Sequence, residues 1–153
     1  MEKERAMAVC TFFGHSDTPQ QVALILRVIL SDLIENKNVK MFYVGNHGNF
    51  DCMVRNTLRL LKLDYPDVDY AVVLAYMPHK KNIFDSEDYS DTIYPEGLEY
   101  SLPKYSITKR NQWMLGQSDY VITYITHSWG GAAQFKELAK KQGKTVVNLA
   151  EFV

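Results

Sequence analysis

The feature that most constrains this chain is a regular alternation of two periods. Short β-rich apolar runs, each stopped by a glycine or a polar loop, alternate with longer stretches of helical period. Met7–Phe13 (MAVCTFF) reads as a buried strand ended by Gly14. Asp17 or Thr18 offers an N-cap and Pro19 a first turn for a helix running to about Asn36. Its expected apolar face is broad: Val22, Leu24, Ile25, Val28, Ile29, Leu30 and Leu33. Val39–Val44 is a second strand. Asp51–Leu63 is a second helix, with Val54, Leu58 and Leu61 spaced to pack inward and Tyr65-Pro66 ending it. Val68–Tyr76 is nearly all apolar, as a central parallel strand covered on both faces should be. Ser106–Gln117 follows as a helix with Ile107, Trp113, Met114 and Leu115 as its apolar positions, then Asp119–Ile125 as a strand. Gly131–Gln142 is a helix with Gly143 as its C-cap, and Lys144–Leu149 is a fifth strand. Strand and helix in strict turn imply parallel strands joined by right-handed crossovers. The expected fold is α/β: a doubly wound, mostly parallel, five-stranded Rossmann-like sheet with helices on both faces, in one domain over residues 1–153.

One segment breaks the rhythm. Met77–Lys104 is too long for a plain connection in such a fold, and loops of this length are functional or disordered. Tyr89, Tyr94 and Tyr100, with Tyr105 just beyond, argue for a lid, because aromatic rings need burial or a ligand to cover them.

Charge narrows the partners. Seventeen basic residues against eighteen acidic ones give a net charge of -1. That balance speaks against nucleic acid or a membrane surface as the partner, since both call for a basic excess. Cys10 and Cys52 form no C-x-x-C pair and read as free thiols. The first apolar run is too short for a signal peptide, and no stretch reaches membrane-spanning length, so a cytoplasmic location is expected.

In doubly wound sheets ligands sit outside the carboxyl ends of the strands. The loops there read Gly14-His15-Ser16, then Gly45-Asn46-His47-Gly48-Asn49-Phe50-Asp51, then Met77-Pro78-His79-Lys80, then Thr126-His127-Ser128-Trp129-Gly130-Gly131-Ala132-Ala133. All four histidines of the chain and five of its eight glycines fall in these loops. The last loop has the composition of an anion site: glycines let the backbone approach closely, and the following helix points free N–H groups at the ligand. The histidines lie in four separate loops with no H-x-x-x-H pair and no carboxylate at ligand spacing. No metal and no resident cofactor is expected; hydrogen bonding to phosphate or hydroxyl is the role that suits them.

Two further residues stand out. Arg110 lies early in the helix before the fourth strand, between Lys109 and Asn111, where a surface cation is the default. Glu137 lies within the helix opened by Gly130-Gly131, where a solvated glutamate is the default. Together they carry a resemblance. Lys109–Glu137 (KRNQWMLGQSDYVITYITHSWGGAAQFKE) resembles the core of the SLOG superfamily, which includes the Lonely Guy phosphoribohydrolases, the DNA-processing protein DprA and the YspA- and YpsA-like proteins. The Lonely Guy pattern is an Arg-Lys pair opening a helix, a strand, and Pro-Gly-Gly-x-Gly-Thr-x-x-Glu. Arg110 falls on its arginine, Trp129-Gly130-Gly131 on Pro-Gly-Gly, Ala133-Gln134 on Gly-Thr and Glu137 on its glutamate. Gly14-His15-Ser16 is similar to the glycine-led first loop of these proteins, and Gly45–Asp51 more loosely to their second. A compact branch of the superfamily is similar in its Gly-His-Ser start and Thr-His-Ser-Trp-Gly-Gly-Ala turn.

The resemblance implies a nucleotide-like ligand held by Gly14, His15, Ser16, Gly45, Asn46, His47, Gly48, Asp51, Ser128, Trp129, Gly130, Gly131, Ala132 and Ala133. In the enzymes, arginine and glutamate act on the N-glycosidic bond of a nucleoside monophosphate. Here the proline, a glycine and the threonine are replaced, and Trp129 brings a flat surface able to stack a base or a ribose. The first expectation is therefore a binding module that senses or sequesters a nucleotide or an NAD- or ADP-ribose-derived molecule, as SLOG domains of antiviral signalling do. The alternative is a phosphoribohydrolase-like enzyme using Arg110 and Glu137. Small SLOG proteins imply a homodimer or higher homo-oligomer, with Tyr105, Trp113 and Met114 as candidate interface residues.

Overall fold

The computed structural model describes residues 7–77 and 92–153. His79, Lys80, Lys81 and Tyr89 of the long segment lie outside the described residues. Six strands, β1 (Ala8–Gly14), β2 (Val39–Val44), β3 (Asp69–Val73), β4 (Thr92–Ile93), β5 (Tyr120–Tyr124) and β6 (Thr145–Asn148), form one sheet in the order β4-β3-β2-β1-β5-β6. Every pairing in it is parallel. The sixth strand corrects the expected five: Thr92 and Ile93, inside the segment read as a lid, pair with Val72 and Val73 and cover the edge of β3. β3 is accordingly shorter than Val68–Tyr76 and lies next to the edge, not at the centre. The same segment also forms a 3₁₀ turn over Leu98–Tyr100.

Four helices cover the sheet: α1 (Val22–Asn36), α2 (Gly48–Asp64), α3 (Pro103–Gln117) and α4 (Gly131–Lys141). The strands split their side chains between two faces, as the period of two requires. Cys10 and Phe12 of β1 and Phe42 of β2 pack with Leu26, Leu30 and Leu33 of α1 and Phe50, Val54 and Leu58 of α2. Phe13 of β1 and Val121 of β5 pack on the other face with Met114 and Leu115 of α3 and Phe135 and Ala139 of α4. The face of α1 is narrower than its sequence implies. Leu24 is 76% and Val28 66% exposed, because the inward stripe runs through Val22, Leu26, Leu30, Leu33 and Ile34. Met114, expected as a candidate interface residue, is buried in the core and is withdrawn from that role; Tyr105 is half-exposed.

The first two helix starts depart from the sequence reading: α1 begins at Val22 with Gln21 at its N-cap, so neither Asp17 nor Thr18 caps it, and α2 begins at Gly48, three residues before Asp51. α4 closes in a Schellman motif: Gly143 is left-handed at φ 77, its N–H bonds Lys140 O, and the Lys144 N–H bonds Ala139 O. α3 starts with Pro103 at its first turn, three residues earlier than the spacing predicts. Among the described residues no helix is long and apolar enough to cross a membrane.

The strand order matters for function. From β1 the chain steps outward through β2, β3 and β4, then returns to place β5 on the opposite side of β1. The order therefore reverses between β1 and β5. The loops leaving their carboxyl ends diverge there and open a crevice.

Candidate functional site

The crevice between β1 and β5 is built by residues 14–18 and 125–131. The two loops are tied together at their roots. His15 donates its backbone N–H to Tyr124 O, and its ring Nε2 accepts the Thr126 N–H at 2.9 Å. An accepting Nε2 puts the ring proton of the neutral imidazole on Nδ1. Burial, and to a lesser degree the neighbouring His127, lower the His15 pKa, which favours that neutral form. Thr18 donates its hydroxyl to His15 O, and buried Asn148 clamps the end of β5 by bonding both the N–H and the C=O of Ile125.

The ends of β1 and β2 are packed so closely that only hydrogen fits at their glycines. A Cβ on Gly14 would sit 2.3 Å from Phe50 Cγ, inside the core. One on Gly48, already at φ +85, would meet Ser16 Cα at 2.9 Å, and the Asn49 N–H bonds Ser16 O at 2.8 Å. Loops one and two are thus packed against each other. Gly45 is the most telling of these positions. A Cβ there would lie 2.6 Å from Asp51 Oδ2 and 2.8 Å from Arg110 Nη1. The glycine exists to let this carboxylate and this guanidinium approach the same point of backbone.

Arg110 is not the surface cation that its setting in the sequence implies. It is 2% exposed. Nη1 donates to Val73 O at 3.0 Å and points at Asn46 Oδ1 at 3.5 Å, while Nε donates to Asn111 Oδ1 at 2.8 Å. Nη2 has no hydrogen-bond partner among the described residues. Burial lowers the Arg110 pKa, and Asp51 opposes that shift; a guanidinium stays a cation regardless. Asp51, in the first turn of α2, accepts the His47 N–H at 3.0 Å and so holds the N-cap residue of that helix. Burial pushes its carboxyl above the ordinary range, against the pull of the His47 N–H, Arg110 and Arg55.

Two cavities flank the start of α4. The smaller, about 160 Å³, is lined by Gly14, His47, Asp51, Arg110, Gly131 and Ala132, together with Phe12, Phe13, Ile107, Asn111 and Met114. The larger, about 370 Å³, is lined by Ile125, Thr126, His127, Ser128, Ala133, Lys136 and Glu137. The helix N-terminus with its outward N–H groups lies between them. Gly130, at φ 97, and Gly131 would both carry a Cβ into open space, unlike the packed glycines of the other loops. Their freedom keeps the approach to the α4 amides clear.

The candidate residues therefore divide. Gly14, His47, Asp51, Arg110, Gly131 and Ala132 meet in one cavity, while Ser128, Ala133 and Glu137 meet in the other. Arg110 and Glu137, paired by the motif, do not share one. Gly45, Gly48, Asn46 and Ser16 shape the walls. His15 and His127 stack on each other at 3.8 Å instead of converging on a point, and Trp129 stacks on His127 at 3.8 Å. Asn111, Lys136 and Asn148 belong to the site and escape a motif reading.

No protein-family model matches the chain, and no curated protein matches it. Among solved structures it is similar to DNA processing protein A (DprA) from Streptococcus pneumoniae, with a TM-score of 0.64 at 18% identity. The match covers 92% of this chain and 49% of that one, so the chain spans about half the length of that protein. At this identity the likeness is one of fold. What the two share is a Rossmann-like α/β fold.

Proposed function

We propose that the chain binds a small phosphorylated molecule of the nucleotide or NAD- and ADP-ribose-derived class at the crevice between β1 and β5. The observation that carries this reading is Arg110: a guanidinium held inside the protein by three named acceptors, with Nη2 left over, in a cavity whose far wall is the N-terminus of α4. Burying such a cation costs several kcal/mol, of order, unless charge or hydrogen bonds compensate. Asp51 supplies part of that compensation by its charge, and a phosphate accepting from the free Nη2 would add a charge-assisted hydrogen bond. The open glycines beside it give the phosphate its backbone donors. With a net charge of -1 and no basic excess, nucleic acid is not among the partners we propose. The homodimer implied by the resemblance stays a proposal, to be checked by sedimentation at micromolar concentration.

The test is calorimetric titration with ribose 5-phosphate, AMP, ADP-ribose and NAD. At least one should bind in the micromolar range, and Arg110→Ala should weaken it by about 1.5–3 kcal/mol, the worth of a hydrogen bond to a charged group. Arg110→Lys keeps the charge but loses the planar set of donors, and should fall between. No binding at millimolar concentration, or equal affinity in all three proteins, would refute the proposal.

Hydrolysis of an N-glycosidic bond is the second reading. Glu137 favours it, because its carboxylate lines the larger cavity beside Ser128 and Ala133 at the start of the same helix. Incubation with the nucleotides should then release free base and ribose phosphate. Glu137→Gln should cut turnover on the order of a hundredfold with binding retained, as loss of a general acid or base does. Binding without product leaves the sensor or sink reading in place.

A further inference from the structure

The rings of His15, His127 and Trp129 form a column. Centroids are 3.8 Å apart at each step, with interplanar angles of 15° and 16°. The column is anchored at its inner end. His15 is 8% exposed, bonds Tyr124 O and the Thr126 N–H through its backbone and ring, and meets the Tyr124 ring edge-on. His127 is fixed in turn, because its Nδ1–H donates to Trp129 O at 3.0 Å. Trp129 is the outer ring and is 69% exposed.

These numbers define an open surface. One face of the indole is covered by His127 at stacking distance. An exposure of 69% requires the other face to lie open to solvent. The largest aromatic side chain is thus held rigid and presented outward, where burial against the core would have been the more stable place for it. A bare tryptophan on a flexible loop would lose rotamer freedom on contact with a ligand. Here that loss is taken during folding, which is the condition for a preorganised platform.

The position in the chain selects the ligand group. Trp129 is followed directly by Gly130 and Gly131, whose open backbone leads into the α4 N-terminus and the Arg110 cavity. A planar ring on the indole and an anion at the helix start would therefore belong to one molecule. We propose that the open face of Trp129 is the nucleobase subsite of this protein, extending the three-ring column by a fourth ring. This rests on the phosphate site proposed above and deepens it: the ligand is a nucleotide proper, recognised by its base, and not a sugar phosphate. Stacking reads a π-face and not an edge, so the subsite takes any base, purines more tightly for their larger area.

AMP and ribose 5-phosphate separate the two claims, since they differ by the base alone. Titration is carried out on the full chain and on Trp113→Phe, which leaves Trp129 as the single indole. AMP should bind on the order of tenfold more tightly than ribose 5-phosphate and should quench the remaining indole emission, whereas ribose 5-phosphate should not. Trp129→Ala should bring AMP down to the affinity of ribose 5-phosphate without changing the latter, and Trp129→Phe should restore most of the difference. Equal affinity of the two ligands for the native chain overturns the base subsite while leaving the phosphate site standing. Equal loss of both ligands in Trp129→Ala also overturns it, by showing that the ring merely supports the loop. Failure of both ligands to bind removes the phosphate site and the base subsite together.

Discussion

Replacing Gly45 with alanine tests how tightly the site is coupled to the fold. The added methyl would lie 2.6 Å from Asp51 Oδ2, 2.8 Å from Arg110 Nη1 and 2.9 Å from Arg110 Cζ, whereas ordinary contact is 3.4–4 Å. Both groups must retreat by roughly half an ångström or more. A surface arginine would do so without cost. Arg110 is buried and pinned at Val73 O and Asn111 Oδ1, and a retreat of that size takes a 3.0 Å bond past the distance at which it still counts as one. Overpacking of this kind costs about 1–3 kcal/mol, which for a domain of this size is a fall in Tm of about 2–4 °C per kcal/mol. The guanidinium is also displaced from the cavity, so affinity for ribose 5-phosphate should fall about tenfold or more, equivalent to ~1.4 kcal/mol. Thermal unfolding by circular dichroism and calorimetric titration give the two readings. A variant with unchanged Tm and unchanged affinity would refute the reasoning, since the pair would then have room that the geometry denies it. A lower Tm with unchanged affinity would show that Arg110 is structural and that the anion is held elsewhere.

Gly131 should behave in the opposite way. A Cβ there meets nothing within 4 Å, and the residue is the first of α4, where proline is tolerated. Gly131→Pro should therefore fold with a Tm close to native yet lose affinity, because one amide donor is gone; retained affinity by calorimetry would place the phosphate elsewhere. Stability should fall in mild acid. His15 has a pKa lowered from its ordinary 6.5 by burial and by His127, against Asp17, and His47 is shifted the same way by burial, Arg110 and Arg55. The unfolded chain then takes up protons first, so this contribution is complete above pH 6.5 and is lost as pH falls through that value toward the folded pKa. Urea midpoints at pH 7.5 and 5.0 should show the drop, and His15→Gln, which keeps an acceptor for the Thr126 N–H, should flatten it. An equal drop in His15→Gln would assign the effect to other groups.

The sequence by itself determined the architecture. Strand and helix periods are local properties of the chain, and each of the four helices and five of the six strands answers to a run legible in isolation. The left-handed Gly143 cap was legible for the same reason, since it depends on one residue's backbone freedom. The placing of the candidate site at the carboxyl edge follows from the alternation, because parallel strands bring all their outgoing loops to one side. Tertiary structure decided whatever depends on residues distant in sequence. Thr92 and Ile93 carry too little local signal to be a strand, and become one only because the open edge of β3 offers them its hydrogen bonds. Leu24 and Val28 satisfy a helical face in sequence, yet the sheet is wide enough to cover only the stripe through Leu26 and Leu30. Arg110 carries the charge of a surface residue, and it is inside because Val73, Asn46 and Asn111, from two other parts of the chain and its own helix, arrive with acceptors while Asp51 brings an opposing charge. Spacing set Arg110 and Glu137 side by side in one motif. The N-terminus of α4 comes between them, because a helix has thickness and its two flanks open into different cavities.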